Sequence, residues 1–385
     1  MSVKRGIGFQ RAVIFILRIT LGWILALCLG FKYKKRKPKS KTYLVLANHN
    51  SDLDPVMVIM GTGRHARFVA SANLLRGFLG RILKVFFAPI PRYKGAAADD
   101  TVDLIEQNLK EGISVAMFPE GNKSWSGETG YISPRTAKLV KSSGAGLVTY
   151  RLDGDYMKSP RWARHPRKGP VFGTFVRELT PEKLEKLSEQ EVYEIICKDL
   201  QTDAYAFQRE KHIKYKGKNL AEGLELAAFL CPCCKNFDSV KTKGDVVFCD
   251  CGMKATLDEE GFFHSNTLPF KDLLAWSRWQ KSYLFEHSGE YKGKITIDTG
   301  LCFKINGKTI SDNATAVFYP DRVEIGEEEI IVFPLKDIEK MGAFRTTRVY
   351  FTCADGTYVE LFKEGGVSGV KYFTLWRIFS GRSLF

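Results

Sequence analysis

Apolar and polar positions follow two different rhythms in the first half of the chain. Residues 42–47, 66–70, 114–118 and 146–152 are short apolar runs that read as buried strands. Between them lie stretches with helical spacing at 74–87, 100–109 and 133–143, the second placing Val102, Ile105 and Leu109 on one face. Strands alternating with helices predict an α/β sheet. Gly61-Thr62-Gly63 opens no nucleotide-binding pattern and reads as a plain turn. A linker helix is expected over 189–209. From Lys292 the rhythm turns to β, with candidate strands at 294–297, 301–305, 314–319, 322–325, 330–333, 349–353 and 358–362 and a closing amphipathic helix at 368–379.

The first strand runs into Asn48-His49-Asn50-Ser51-Asp52-Leu53-Asp54, and Asp54-Pro55 reads as a helix cap with proline at the first helical position. A strand-to-helix turn in an α/β sheet is where side chains meet ligand. His49 with a carboxylate five residues on suits a general base whose tautomer Asp54 fixes. The plainer alternative has His49 hydrogen-bonding within the turn and Asp54 only capping the helix. Taken alone, so short a pattern favours the plainer one. A second strand ends in Pro119-Glu120-Gly121-Asn122-Lys123-Ser124, where a carboxylate, a glycine turn, a cation and a hydroxyl together suit a phosphate-bearing alcohol.

With both stretches in place, residues 40–215 resemble the lysophosphatidate acyltransferase family of glycerolipid acyltransferases. His49 to Asp54 match its N-H-x-S-x-x-D block, and Phe118 to Ser124 its F-P-E-G-T-R-S block, with Asn122 for Thr and Lys123 for Arg. Phe87-Ala88-Pro89-Ile90-Pro91-Arg92 matches the intermediate arginine block more loosely. The fourth block lacks its proline at Leu147-Val148-Thr149-Tyr150-Arg151. The resemblance implies transfer of a fatty acyl group from a thioester of coenzyme A or acyl carrier protein to lysophosphatidate, with another lysophospholipid or a lysolipid without a phosphate as the alternative acceptor. It implies His49 as base and Asp54 as its orienter. Arg92 and Lys123 would bind phosphate, and Glu120, with Gly121 and Ser124 beside it, the glycerol end. Oxygen and thioester chemistry of this kind requires no catalytic metal.

Charge is unevenly placed. Of the formal +15, eleven positive residues and no acidic one fall in residues 1–41, among them Lys4, Arg5, Arg11, Arg18 and the run from Lys32 to Lys41. Such a patch suits nucleic acid or acidic lipid, and the neighbouring residues 12–31, apolar apart from Arg18 and Thr20, favour lipid. Twenty helical residues reach about 30 Å, just enough to cross the hydrocarbon core. Arg18 at the bilayer centre would cost roughly 2.5–3.5 kcal/mol, so a tilted or half-inserted anchor on an anionic surface is expected. The protein would then lie on the cytoplasmic face. A secretory signal fits less well, because no small-residue cleavage site follows. The apolar 74–87 helix is core, an acyl-chain groove or a second membrane contact. The basic cluster from Arg161 to Lys168 suits coenzyme A phosphates, a lipid surface or a solvated loop.

Cys231-Pro232-Cys233-Cys234 and Cys249-Asp250-Cys251-Gly252 form two paired-thiol knuckles. Cys231, Cys234, Cys249 and Cys251 supply four soft donors for a structural zinc, with Cys233 as a substitute ligand. The expected organisation is a membrane-anchoring helix and basic segment (1–40), an α/β acyltransferase domain (41–215) and a zinc-ribbon-like segment (216–265). A C-terminal β domain (266–385) would follow, whose seven strands and helix resemble a pleckstrin-homology-like or GRAM-like barrel. A nucleic-acid-binding membrane protein is the alternative from another class. It is disfavoured, and no nucleic acid is expected, because the charge gathers beside the apolar helix and not on the ribbon.

Overall fold

The protein is described here by a computed structural model covering residues 6–20, 22–75, 77–92 and 99–382. It forms two compact units, Met1–Pro160 with Arg167–Tyr215 and Arg161–Pro166 with Lys216–Phe385.

The first unit is built on seven strands: β1 (Phe31–Tyr33), β2 (Tyr43–Ala47), β3 (Arg67–Ser71), β4 (Ile90–Arg92), β5 (Val115–Met117), β6 (Gly146–Asp153) and β7 (Val171–Leu179), in the order β1-β7-β6-β2-β5-β3-β4. All neighbours are parallel except β6 and β7. The central strand β2 is buried on both faces, which is why it is continuously apolar. Leu44 and Leu46 enter one core, with Ile105, Val140, Val192 and Ile196 from the covering helices. Tyr43, Val45 and Ala47 enter the other, with Met57, Val58 and Met60. Because β2, β5 and β6 run parallel and in register, the residues that follow them emerge at one edge of the sheet.

Several expectations change here. Asp54 is the first residue of the helix Asp54–Thr62 and does not cap it; Leu53 holds the cap position. Gly61 and Thr62 lie in that helix, and Gly63 ends it. The linker is two helices, Glu189–Leu200 and Ala204–Lys211. Val192, Ile196 and Leu200 are buried in the first unit's core, so the segment belongs to that unit. Thr149, where the family block has proline, donates to Asp199, which also takes two bonds from Arg177. Strand β7 carries no clean alternation (Val-Phe-Gly-Thr-Phe-Val-Arg-Glu-Leu) and was not expected.

The apolar N-terminal segment is two helices, Ile7–Thr20 and Gly22–Leu29, bent by 57° at their break. Among the described residues no single helix is long and apolar enough to cross a membrane, although the bent pair together has the length and composition. Gly30 (φ +60°) ends the second helix where a Cβ would come within 2.9 Å of the Gly169 carbonyl, and Phe31 passes into the sheet. The first helix turns two of its polar side chains, Gln10 and Arg18, toward the rest of the unit. Gln10 accepts a bond from buried Arg67, and Arg18 donates to the Gly63 carbonyl at 2.6 Å. Phe9, Phe15, Ile16, Ile19, Trp23 and Leu27 are exposed. Phe78 and Val85 of the helix Gly77–Phe87 are exposed as well, and Phe9 meets Phe86 at 5.8 Å.

The second unit contains a four-stranded antiparallel sheet over residues 240–264, the helix Leu273–Glu286, a seven-stranded antiparallel sheet over 296–362 and the helix Gly369–Phe379. The two candidate strands at 294–305 are one strand, Thr296–Ile305, irregular around Gly300. Ile338–Phe344 supplies the seventh strand instead. Arg161 and Trp162 are buried in this unit, Arg161 donating to the carbonyls of Ala343 and Arg345, so the basic cluster is not a simple solvated loop.

Candidate functional site

The turn after β2 is tied down from several sides. Asn48 donates to the Leu152 carbonyl and accepts from its N–H, both at 2.8 Å, extending the β2–β6 ladder by a side chain. Oδ2 of Asp54 then collects three donors from consecutive residues: Nδ1 of His49 at 2.9 Å, the Asn50 N–H at 2.8 Å and the Ser51 N–H at 2.9 Å. Asp54 is fully buried, whereas the His49 side chain is 20% exposed. The imidazole stacks on Phe118, centroids 4.2 Å apart. With Nδ1 held by a carboxylate, the neutral ring carries its proton there and presents Nε2 as the basic nitrogen.

Glu120, expected at the glycerol end, holds the protein itself. One oxygen accepts the His49 N–H at 2.8 Å and the other the Gly130 N–H at 2.7 Å. Burial pushes its carboxyl up to about 8 against the opposing pull of these two N–H donors, and the charge on Asp54 adds to the rise. Gly121 has φ +69°, and a Cβ there would stand 2.7 Å from Nη1 of Arg92, so its lack of a side chain lets the guanidinium lie against the turn. Arg92 ends β4 at the same sheet edge and is exposed. Ser124 is buried. Its hydroxyl donates to the Glu128 carbonyl and accepts from Gly127, and its N–H donates to the His49 carbonyl. Lys123 pairs with Asp52 at 3.1 Å.

The structure thus gathers His49, Asp54, Arg92, Glu120, Gly121, Lys123 and Ser124 at one edge. His49 and Asp54 are bonded to each other, and the cations Arg92 and Lys123 lie at the same edge. Ser124 and Glu120 mainly shape the turns. Sequence reasoning missed Asp52, Asn48, Asn50 and Asp155. Asp52 could have been found as the one carboxylate of the first block without an assigned task. Asp155 follows β6 as His49 follows β2.

In the second unit the sulfur atoms of Cys231, Cys234, Cys249 and Cys251 all lie within 4.8 Å of one another. Cys231–Cys251 and Cys234–Cys249 are each 3.7 Å apart. Four thiolates about 2.3 Å from a tetrahedral zinc stand about 3.8 Å apart, so the donor set fits that ion. Cys233 is exposed, with its thiol on the Thr267 carbonyl, and stands outside the cluster.

Residues 30–152 match the family described as Acyltransferase. A probable 1-acyl-sn-glycerol-3-phosphate acyltransferase of Mycoplasma genitalium is 27% identical over 124 residues, 31% of this chain and 46% of that protein. The 1-acyl-sn-glycerol-3-phosphate acyltransferase of Borreliella burgdorferi is 22% identical over 134 residues, covering 34% and 53%. The chain therefore spans about half the length of the curated relatives it matches. The crystal structure of the 1-acyl-sn-glycerophosphate acyltransferase PlsC from Thermotoga maritima aligns over 51% of this chain and 95% of that one, with 16% identity and a TM-score of 0.37.

Proposed function

From the match of residues 30–152 to the acyltransferase family, we propose that the chain transfers a fatty acyl group from a thioester of coenzyme A or acyl carrier protein to lysophosphatidate, giving phosphatidate. The observation that carries this reading is the His49–Asp54 pair, a partly exposed imidazole held at Nδ1 by a buried carboxylate. Nε2 of His49 takes the proton of the acceptor hydroxyl as its oxygen attacks the thioester carbonyl carbon. The new C–O bond forms, the C–S bond breaks, and the proton passes from the imidazolium to the departing thiolate. Asp54 stabilises the imidazolium in between. No covalent enzyme intermediate is needed. Arg92 and Lys123 meet the acceptor phosphate, and Glu120 holds the backbone of His49 in place.

The acceptor reaches this edge from a membrane. The exposed apolar side chains of the N-terminal helix pair and of Gly77–Phe87 support a monotopic seat, with the lysines of 32–41 among anionic headgroups at the cytoplasmic face. Arg18 avoids the bilayer by bonding to Gly63. A structural zinc on Cys231, Cys234, Cys249 and Cys251 holds the ribbon of the second unit and takes no part in transfer.

A second acceptor reading, a lysolipid lacking a phosphate monoester, is favoured by one observation: Lys123 already has a carboxylate partner in Asp52. One assay separates the two. With a single acyl-CoA donor, lysophosphatidate is expected to be acylated with the highest kcat/KM among lysolipids of differing headgroup. A higher value for a phosphate-free lysolipid would move the assignment to that acceptor.

A further inference from the structure

Behind the His49–Asp54 pair lies a second carboxylate that acyl transfer leaves without a task. Asp155 follows β6 and opens the short helix Asp155–Lys158; it is 2% exposed. Asn50 joins the two acids, its backbone N–H donating to Oδ2 of Asp54 at 2.8 Å and its side-chain amide to Oδ2 of Asp155 at 3.0 Å. Asn50 is itself buried. The turn carrying His49 is therefore fastened to the end of β6 on both sides of the histidine, by Asn48 to Leu152 and by Asn50 to Asp155.

We propose that Asp155 is a positioning residue, which through Asn50 holds the turn so that His49 keeps its proton on Nδ1 and presents Nε2 to the acceptor. The kinetic part of this inference rests on the acyl-transfer reading; the structural part does not.

Three donors from residues 49, 50 and 51 meet a single oxygen, Oδ2 of Asp54. They reach it together only in one conformation of the turn, and holding consecutive residues in one conformation costs backbone entropy. The Asn50–Asp155 bond offsets that cost from the side facing away from substrate. The charges agree with this arrangement. Burial first, and the nearby charge of Asp54 second, push the Asp155 carboxyl well above its ordinary range. A carboxyl raised in this direction holds its proton more tightly, which lessens the negative charge behind the imidazole, and its Oδ2 accepts the Asn50 amide at 3.0 Å. The other titratable groups facing the acids are Asp153 on β6, Tyr215 and, on the side of Asp54, Glu120.

The full-length protein, labelled with 15N-histidine, tests this in wild type, Asp155→Ala, Asn50→Ala and Asp155→Asn. Asp155→Ala and Asn50→Ala are expected to lower kcat by about tenfold or more with little change in KM, as a loosened catalytic group would. Both should move the acid limb of the kcat/KM profile to lower pH, because Asp54 then stabilises the imidazolium less well. Their His49 nitrogen shifts should change from a single Nδ1–H tautomer to a mixture. Asp155→Asn keeps an oxygen acceptor for the Asn50 amide and should restore both readouts. An unchanged tautomer and acid limb in Asn50→Ala, which removes only the amide, would overturn the proposal, as would an Asp155→Asn protein as impaired as Asp155→Ala. Absence of acyl transfer by wild type would overturn the proposed function alone, since the nitrogen spectra still report on Asp155.

Discussion

The ammonium of Lys123 stands 3.1 Å from Oδ1 of Asp52, joining the two sequence blocks of the site by an ion pair whose acid is 75% exposed and whose base is 19% exposed. An exposed pair of this kind is worth about 0–1 kcal/mol, so an acceptor phosphate carrying more than one negative charge can displace the carboxylate. Asp52 then competes with the substrate for Lys123 and repels it. Asp52→Asn is therefore expected to lower KM for lysophosphatidate several-fold, and Lys123→Ala to raise it by about tenfold. A phosphate-free lysolipid should respond to neither change. Identical responses from both acceptors would remove Lys123 from phosphate binding.

Removing the proposed base should cost far more than removing a binding contact. His49→Ala is expected to reduce kcat by about 10²–10⁴ while the melting temperature falls only slightly, since the ring is partly exposed and its loss mainly uncovers Phe118. A folded His49→Ala protein retaining more than a tenth of wild-type kcat would take His49 out of the base role.

Much of the first unit could be read before its structure because β2, β5 and β6 are buried on both faces and leave continuous apolar runs. Parallel pairing then brings their ends together, so His49 and Glu120 became neighbours by topology alone. What stayed hidden depends on side chains bonding across long sequence separations. Nothing near Glu120 indicates that its oxygens serve the N–H groups of His49 and Gly130. The helix 189–200 looked like a linker because its apolar residues have no local partner; their core lies on β2 and β6. In the second unit, Gly300 disguised one long strand as two, and Ile338–Phe344 alternates too weakly to be seen.

The raised carboxyl of Glu120 gives a pH dependence with a definite sign. Its folded-state value is about 8 against an ordinary 4.5, so the folded protein binds the proton more tightly than the unfolded chain. The associated stability is complete below about pH 4.5, declines as pH rises, and is gone once pH passes 8. Glu120→Gln removes that titration. It also leaves one of the two N–H groups without an acceptor, so the variant should be less stable at every pH but should show a flatter decline between pH 5 and 8, about the interval in which the linkage acts. Thermal melts across that interval test it, and parallel curves for the two proteins would contradict the assignment.

In the second unit, the thiol cluster and the closing helix are connected through one buried cation. Lys371 of Gly369–Phe379 is wholly buried. Its ammonium donates to both oxygens of Asp238 at 2.8 Å and pairs with Asp298 at 2.9 Å, while Thr296 adds a bond to Asp238. Burial alone would push that ammonium down, but Asp298 and Asp238 hold it above its ordinary value. Asp238 sits in the loop that follows Cys234, with φ +54° and its N–H on the Phe229 carbonyl, so the knuckle that carries Cys231 and Cys234 also aims the carboxylate. Freshly reduced protein is expected to contain close to one zinc per chain. Chelation should raise hydrogen exchange in the knuckles first and in the closing helix next, because Asp238 leaves Lys371 without its bidentate partner. Lys371→Ala should destabilise the unit by about 3 kcal/mol, the low end for a broken buried pair because Asp238 is partly exposed, while zinc content stays unchanged. Cys231→Ser should lose both the metal and the protection of the closing helix. Protein that carries no metal when reduced would dismiss the zinc, and a closing helix that keeps full protection in Cys231→Ser would break the connection between cluster and cation.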